Sequence, residues 1–311
     1  MHVPSSSPPP ALYPGCHVAL IAPSSPFDRE AFDRGAARLG ERYDVTWRPD
    51  IFASVGHLAG DDERRREELL AALDDPSVRG IVAVRGGYGA TRLLDTVDAE
   101  RVRDAGKALV GFSDLTALHA LWARAGVRSV HGAMVGALGR TTDAAFERWV
   151  AVLEGAVPPA IEGLRTLAPG TARGTLLGGN LSVLAALAGT PYAPPLDGAL
   201  LFLEDIGEPA YRIDRMLTTL LQAGWLDRVR GVALGMFNQR SGEPAGPPAP
   251  AIEAVLRERL GPLGVPVASG IPAGHIESPV ELPLGASATL DASTGTLRFH
   301  EAATFGPSAA R

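Results

Sequence analysis

Lysine is almost missing from this chain. Of its 29 basic residues only Lys107 is not an arginine, so chemistry built on a lysine base or a Schiff base is disfavoured. Cysteine is equally scarce. Cys16 stands alone, which excludes an internal disulfide and any CxxC metal or redox pair. Its place at the head of an apolar run reads as a packed thiol, not a nucleophile. There is no basic excess either: the formal net charge is -6 and no basic patch stands out, which argues against a nucleic-acid partner. No run approaches the ~18 apolar residues of a membrane span. Met1 to Pro10 lacks the apolar core and flanking positive charge of a secretory signal, so it reads as the start of a disordered lead over residues 1–12. A cytoplasmic protein is expected. No H-E-x-x-H or other metal-ligand spacing occurs, and no metal is expected.

What is present is apolar surface in quantity. The 311 residues are 46% hydrophobic, enough for two ordinary cores. Short β-rich runs alternate with helical patterns, which implies an α/β chain with a largely parallel sheet in its first part. His17 to Ala22, Gly80 to Val84, Ala108 to Phe112 and Val127 to His131 read as strands. Asp28 to Glu41, Asp61 to Leu73 and Asp143 to Glu154 read as helices. A stretch rich in Gly, Pro, Thr and Ala (156–172) separates an N-terminal domain (13–155) from a smaller α+β C-terminal domain (173–311). In the latter, Gly174 to Leu177, Ala199 to Leu203 and Gly231 to Met236 read as strands. Leu181 to Ala188, Ile213 to Ala223 and Ala251 to Leu260 read as helices, and Ser241 to Pro250 as a Pro/Gly loop.

Ser113 is the residue with the most chemistry in it. The strand-like run Ala108 to Phe112 delivers it directly into the helix-like run Asp114 to Trp122. A serine on such a turn has an exposed hydroxyl above a helix N-terminus, where backbone N–H groups can hold an oxyanion. Gly111-Phe-Ser113-Asp-Leu115 resembles the G-x-S-x-G elbow without its last glycine. The alternative is a plain helix N-cap.

A serine nucleophile needs a general base, and the chain has seven histidines. His2 lies in the lead, His17 faces the opposite rim of the sheet, His57 falls in a poorly structured stretch, and His300 is near the other end. His119 is six residues along the same helix, about 9 Å away at 1.5 Å per residue. His131, at a strand end, and His275, opening an irregular loop, remain. The base needs an acceptor in turn: Glu204 ends the strand Leu200 to Leu203, with Asp205 and Glu208 as rivals. Arg85-Gly-Gly-Tyr-Gly89 follows a buried strand. It lacks the spacing of a dinucleotide fingerprint or a P-loop, so no cofactor is expected. It is either a tight turn or a place where backbone approaches a substrate.

Taken together, these strings resemble the LD-carboxypeptidases, or muramoyltetrapeptide carboxypeptidases, a serine peptidase family that includes the microcin C self-immunity hydrolases. The resemblance is carried by Arg85-Gly-Gly-Tyr-Gly-Ala-Thr-Arg-Leu-Leu94, Gly111-Phe-Ser-Asp-Leu-Thr-Ala-Leu-His119, and Gly178-Gly-Asn-Leu-Ser182 with Gly189-Thr-Pro-Tyr192. Leu201-Phe-Leu-Glu-Asp205 with Tyr211-Arg-Ile-Asp-Arg-Met-Leu217, and Gly274-His275 with Leu282-Pro-Leu-Gly285, complete it. It implies a flavodoxin-like or class I amidotransferase-like N-terminal domain and a site where the domains meet. It implies a Ser113–His275–Glu204 triad, with the N–H groups of Asp114 and Gly87 as oxyanion hole. The implied reaction is hydrolysis of an L,D-amide that releases D-alanine from murein tetrapeptides in cell-wall recycling, by an enzyme that is commonly a homodimer. The alternative it carries is cleavage of peptidyl- or aminoacyl-nucleotide amides. An exopeptidase must also bind a free carboxylate, for which Arg92 and Arg212 are candidates. Two positions depart from the family pattern, Ala133 in His131-Gly-Ala133 and Phe112 before the serine; neither removes a proposed catalytic group.

Overall fold

A computed structural model describes residues 6–238 and 250–306. The chain divides into two compact units, and the division does not follow sequence order. Among the described residues, one unit holds 6–158 together with two later segments, 277–285 and 302–306; the other holds 159–238, 250–276 and 286–301.

The first unit is built on five parallel strands: β1 (His17–Ile21), β2 (Asp44–Thr46), β3 (Val78–Ala83), β4 (Ala108–Gly111) and β5 (Ser129–His131). They lie in the order β5-β4-β3-β1-β2, the arrangement of flavodoxin-like folds. Most of these strands are near-continuous apolar runs because both faces are covered: Leu20, Val82, Val110 and Val130 share a core with Phe32, Trp149 and Leu153. The helices are α1 (Arg29–Gly40), α2 (Asp62–Asp74), α3 (Ala99–Ala105), α4 (Thr116–Ala125), α5 (Val135–Leu138) and α6 (Asp143–Leu153). Asp28 starts α1 by accepting a hydrogen bond from the Ala31 N–H, and Phe32, Ala36 and Leu39 form its buried stripe. Strand order reverses beside β1, so the loops after β1 and β3 border the crevice where open α/β sheets bind ligands. Those loops are Pro23 to Pro26 and Arg85 to Gly89.

Two departures from expectation concern chain ends of this unit. The segment read as a free lead is held in place from Ser6 onward: Ser7 exchanges backbone bonds with Gly126 and Arg128, Ala11 N–H donates to the Phe305 carbonyl at 2.7 Å, and Ala11 and Leu12 are buried. Proline-rich backbone still carries carbonyls and some N–H groups that a neighbouring strand edge can pair. The other departure is at the opposite edge, where Leu282–Leu284 pairs antiparallel with β5.

The second unit holds a seven-stranded mixed sheet. Its parallel centre is β7 (Thr171–Asn180), β8 (Ala199–Ile206), β9 (Gly231–Asn238) and β10 (Val267–Ser269). β6 (Arg165–Ala168), which falls inside the stretch read as a connection, closes one edge antiparallel to β10. In chain order the strand returned to the first sheet is β11 (Leu282–Leu284), and β12 (Ser287–Asp291) and β13 (Thr296–Phe299) form a hairpin on the other edge. Helices α7 (Leu181–Leu187), α8 (Ala210–Gln222) and α9 (Pro250–Leu260) accompany them. The loop expected at 241–250 lies outside the described residues except for Pro250, which begins α9. Among the described residues no helix is long and apolar enough to cross a membrane.

Candidate active site

Ser113 follows β4 through Phe112, whose backbone is extended, and opens a short 3-10 turn (Ser113–Leu115) that runs into α4. Its φ is +64°, the one positive value at a non-glycine position among the described residues. The left-handed region costs an L-residue roughly 1–2 kcal/mol, so this conformation is held by the surrounding fold. An N-cap has extended dihedrals; Ser113 does not, and Phe112 occupies the cap position of its turn. The geometry is that of a strained strand-to-helix elbow.

Against it lies the glycine turn. A Cβ on Gly86 would sit 2.9 Å from Ser113 Cβ, 3.1 Å from Oγ and 3.3 Å from the Asp114 nitrogen. Only glycine lets that backbone come so close. Gly87, the residue named in the oxyanion expectation, has φ +108° and is packed on Ser25, where a Cβ would meet the hydroxyl at 2.4 Å. Ser25 stitches the two loops together: its N–H donates to the Gly86 carbonyl at 3.2 Å, and its Oγ accepts from the Tyr88 N–H at 3.1 Å. Gly86 and Ser25 went unassigned in the sequence; the glycine spacing pointed to the turn but not to which glycine touches the serine.

Both histidines that follow the elbow in this unit, His119 and His131, are buried. His119 is buried and fully engaged, Nε2 with the Gly111 carbonyl at 2.9 Å and Nδ1 with Ser129 Oγ at 2.8 Å. The carbonyl fixes the proton on Nε2. Burial pushes its pKa down to about 4. The unfolded chain therefore binds a proton between pH about 6.5 and 4 that the folded chain refuses, and stability from this group is lost as pH falls through that window. About 3 kcal/mol should disappear. Denaturant unfolding of the wild type and His119→Gln between pH 7.5 and about 4 checks this: the wild type should show the steeper loss, and equal slopes would refute it. His131, the other base candidate here, has no exposed surface and packs with its ring centroid 5.6 Å from that of Phe112. His17 bonds Ser77 and Thr46 where β1 begins, and His300 bonds Thr289.

In the second unit, Glu204 and His275 are brought together. Glu204 lies on β8 with no exposed surface, and its Oε2 is 2.9 Å from His275 Nδ1. A register irregularity between β8 and β9 falls at Leu203 to Asp205, which re-aims the chain at this point. Burial raises the Glu204 pKa, opposed by the hydrogen bond from His275. Gly274, with φ +105°, makes the approach possible, since a Cβ there would lie 2.5 Å from Glu204 Oε2. Asn238 Nδ2 donates to the His275 carbonyl at 3.1 Å and holds the loop from outside.

The rival acids have other partners. Asp205 binds the start of α7, accepting from the Ser182 N–H at 2.9 Å and hydroxyl at 2.7 Å. Glu208 pairs with Arg212. Asn180 was missed as a functional residue, although Gly178-Gly-Asn180 is one of the quoted strings. It stands opposite Glu204 in the β7–β8 ladder, and its Nδ2 reaches Glu204 Oε1 at 3.3 Å and Asp205 Oδ1 at 3.1 Å. Of the arginines named for carboxylate binding, Arg92 has its fork on Asp62, with Nε at 2.9 Å and Nη2 at 2.5 Å, whereas Arg212 meets Glu208 at 3.5 Å and is half exposed.

Comparison with known proteins assigns both units. Residues 18–132 match the model of the LD-carboxypeptidase N-terminal domain and residues 173–290 that of its C-terminal domain. The chain belongs to the LD-carboxypeptidase family. Within the family it is 43% identical over 309 residues to a carboxypeptidase-named protein of Streptomyces coelicolor, covering 96% of this chain and 98% of the relative. To the murein tetrapeptide carboxypeptidase of Pseudomonas aeruginosa it is 31% identical over 293 residues, covering 88% and 92%. The muramoyltetrapeptide carboxypeptidase of Oxalobacter formigenes superposes with a TM-score of 0.79 at 29% identity, covering 94% of this chain and all of that one. The microcin C7 self immunity protein in complex with aspartyl sulfamoyl adenosine shares the fold, with a TM-score of 0.81 at 20% identity over 96% and 99% of the chains. Membership makes the protein a serine-type LD-carboxypeptidase, a hydrolase of peptide bonds.

Proposed function

We propose that this LD-carboxypeptidase cleaves the amide joining an L-centre to the terminal D-alanine of murein tetrapeptides, using Ser113, His275 and Glu204. The observation that carries the reading is the His275 Nδ1–Glu204 Oε2 bond at 2.9 Å. It commits Nδ1 to a buried carboxylate and so directs the other ring nitrogen, Nε2, to proton transfer. His275 takes the Ser113 proton as Oγ attacks the carbonyl. The Asp114 and Gly87 N–H groups receive the oxyanion; one such donor is typically worth about 3–4 kcal/mol. His275 then gives the proton to the departing amine, D-alanine leaves, and water resolves the acyl-enzyme by the same path in reverse. Glu204 stays ionised and stabilises the imidazolium.

The murein-peptide reading is favoured over cleavage of aminoacyl-nucleotide amides by the 29% identity on superposition with a muramoyltetrapeptide carboxypeptidase, against 20% on superposition with the immunity protein. The enzyme would serve murein recycling in the cytoplasm, as a homodimer. Arg92 being engaged by Asp62, Arg212 is the residue assigned to the substrate's terminal carboxylate. Incubation with a murein tetrapeptide should release D-alanine, and Arg212→Ala should raise KM about tenfold with kcat little changed. Turnover of an aminoacyl-sulfamoyl nucleoside with none of the tetrapeptide would overturn the assignment.

A further inference from the structure

Helix α2 carries three charged side chains that the fold buries: Arg64, Arg65 and Glu68 are 8%, 0% and 3% exposed. Charged groups are seldom buried so deeply without a task for their hydrogen bonds. Glu68 and Arg64 bind one another and the backbone of Ala22, at the end of β1. Arg65 reaches further. Its Nη1 donates to the Pro23 carbonyl at 2.6 Å and to the Gly89 carbonyl at 2.9 Å, and its Nη2 pairs with Asp62. Gly89 has φ +134°, and a Cβ there would stand 2.5 Å from that nitrogen.

The next residue of each loop is held by the opposite charge. Asp114, directly after Ser113 and 3% exposed, accepts at Oδ2 from the Ser24 hydroxyl at 2.6 Å and from the Ala90 N–H at 2.8 Å. A cation thus binds the carbonyls of residues 23 and 89, and an anion binds donors on residues 24 and 90. The loops so joined are the two that flank Ser113, and the glycine turn against its side chain lies between these anchors and β3. Hydrogen bonds to ionised groups are the stronger kind.

We propose that Arg65 and the Asp114 carboxylate are positioning residues, a two-charge clamp that fixes the glycine turn against the elbow so that the oxyanion donors keep their aim. The proposal rests on the reading of Ser113 as nucleophile. It predicts a cost in the chemical step and not in substrate affinity, because donor misplacement of about 1 Å is worth roughly 10²-fold.

Arg65→Lys, Asp114→Asn and Ser24→Ala are compared with the wild type. Competent sites are counted by end-point labelling with a fluorophosphonate, and kcat and KM on the tetrapeptide are expressed per labelled serine. Arg65→Lys and Asp114→Asn should lose about 30- to 100-fold in kcat, and Ser24→Ala about 5- to 10-fold, with KM within about threefold and full end-point labelling. The rate of labelling should fall in parallel. Should Arg65→Lys or Asp114→Asn not fold, Ser24→Ala, which deletes one hydroxyl, decides the matter alone. Variants with wild-type kcat per labelled serine, or losses confined to KM, overturn the clamp. A wild type that neither labels nor releases D-alanine overturns the nucleophile reading itself, and the clamp's catalytic role with it.

Discussion

Ser113→Ala should lower D-alanine release by about 10⁴- to 10⁶-fold while leaving a rate measurably above the uncatalysed one. The residual follows from the type of donor involved. The N–H groups assigned to the oxyanion belong to the backbone of Asp114 and Gly87, so deleting the hydroxyl leaves them in place. The fold should survive as well. Alanine at φ +64° is about as strained as serine, and stability should change by less than about 1 kcal/mol. Glycine separates stability from chemistry at this position. Ser113→Gly removes the left-handed penalty and should unfold at higher denaturant, with a gain of about 1 kcal/mol, while remaining as inactive as the alanine variant. Assay and denaturant titration of the pair test both halves of the argument. Cleavage persisting within tenfold of wild type would remove the serine mechanism.

The second large effect concerns a proton's position. Glu204→Gln changes one oxygen to an NH₂ group and should cost about 10³- to 10⁴-fold in kcat. Glutamine could turn either face toward His275, but Asn180 restricts the choice. Asn180 Nδ2 donates toward the Oε1 side at 3.3 Å, so an NH₂ there would meet another donor in a buried place. The amide oxygen therefore faces Asn180, the NH₂ faces Nδ1, and the imidazole is driven to the tautomer with its proton on Nε2. That tautomer cannot accept from a serine. Removing the donor should give some of the loss back: in an Asn180→Ala background the glutamine can turn over, and kcat should rise about tenfold above Glu204→Gln alone, a coupling that a double-mutant cycle reads directly. Additive effects would show that Asn180 does not set the orientation.

The parts of this molecule that the sequence revealed share a physical trait: their signal is local. β1, β3, β4 and β8 are buried on both faces and read as apolar runs, and Asp28 and Asp61 announce their helices by capping them. The strand–serine–helix run could be seen because all its determinants lie within a few residues. What escaped is set by distant partners. Arg64, Arg65 and Glu68 look like a solvated helix face until β1 and the glycine turn close over them. Asn180 and Asp205 act on groups more than twenty residues away. β6 was taken for connection because its partner, β10, lies about a hundred residues later. Within the candidate site, composition and spacing narrowed the base to His131 or His275 and the acid to three carboxylates. The contacts that distinguish them, a wholly enclosed imidazole against one bonded to Glu204, exist only in three dimensions.

β11 also has a temporal meaning. Leu-Pro-Leu reads as loop, yet Pro283 is tolerated because an edge strand has an outward side that needs no N–H. Beside it, buried Glu281 receives Arg148 Nε at 2.8 Å, and Ala302 and Phe305 take bonds from Arg128 and Ala11. The unit that bears the serine is therefore left with an open sheet edge and unmatched polar groups until residues 277–285 and 302–306 have been made. A ribosome paused at residue 270 carries the unit that holds Ser113 without its β11 edge strand. Translation thus delays the assembly of this unit until those segments have emerged, and no fragment that stops short of them can be a finished one.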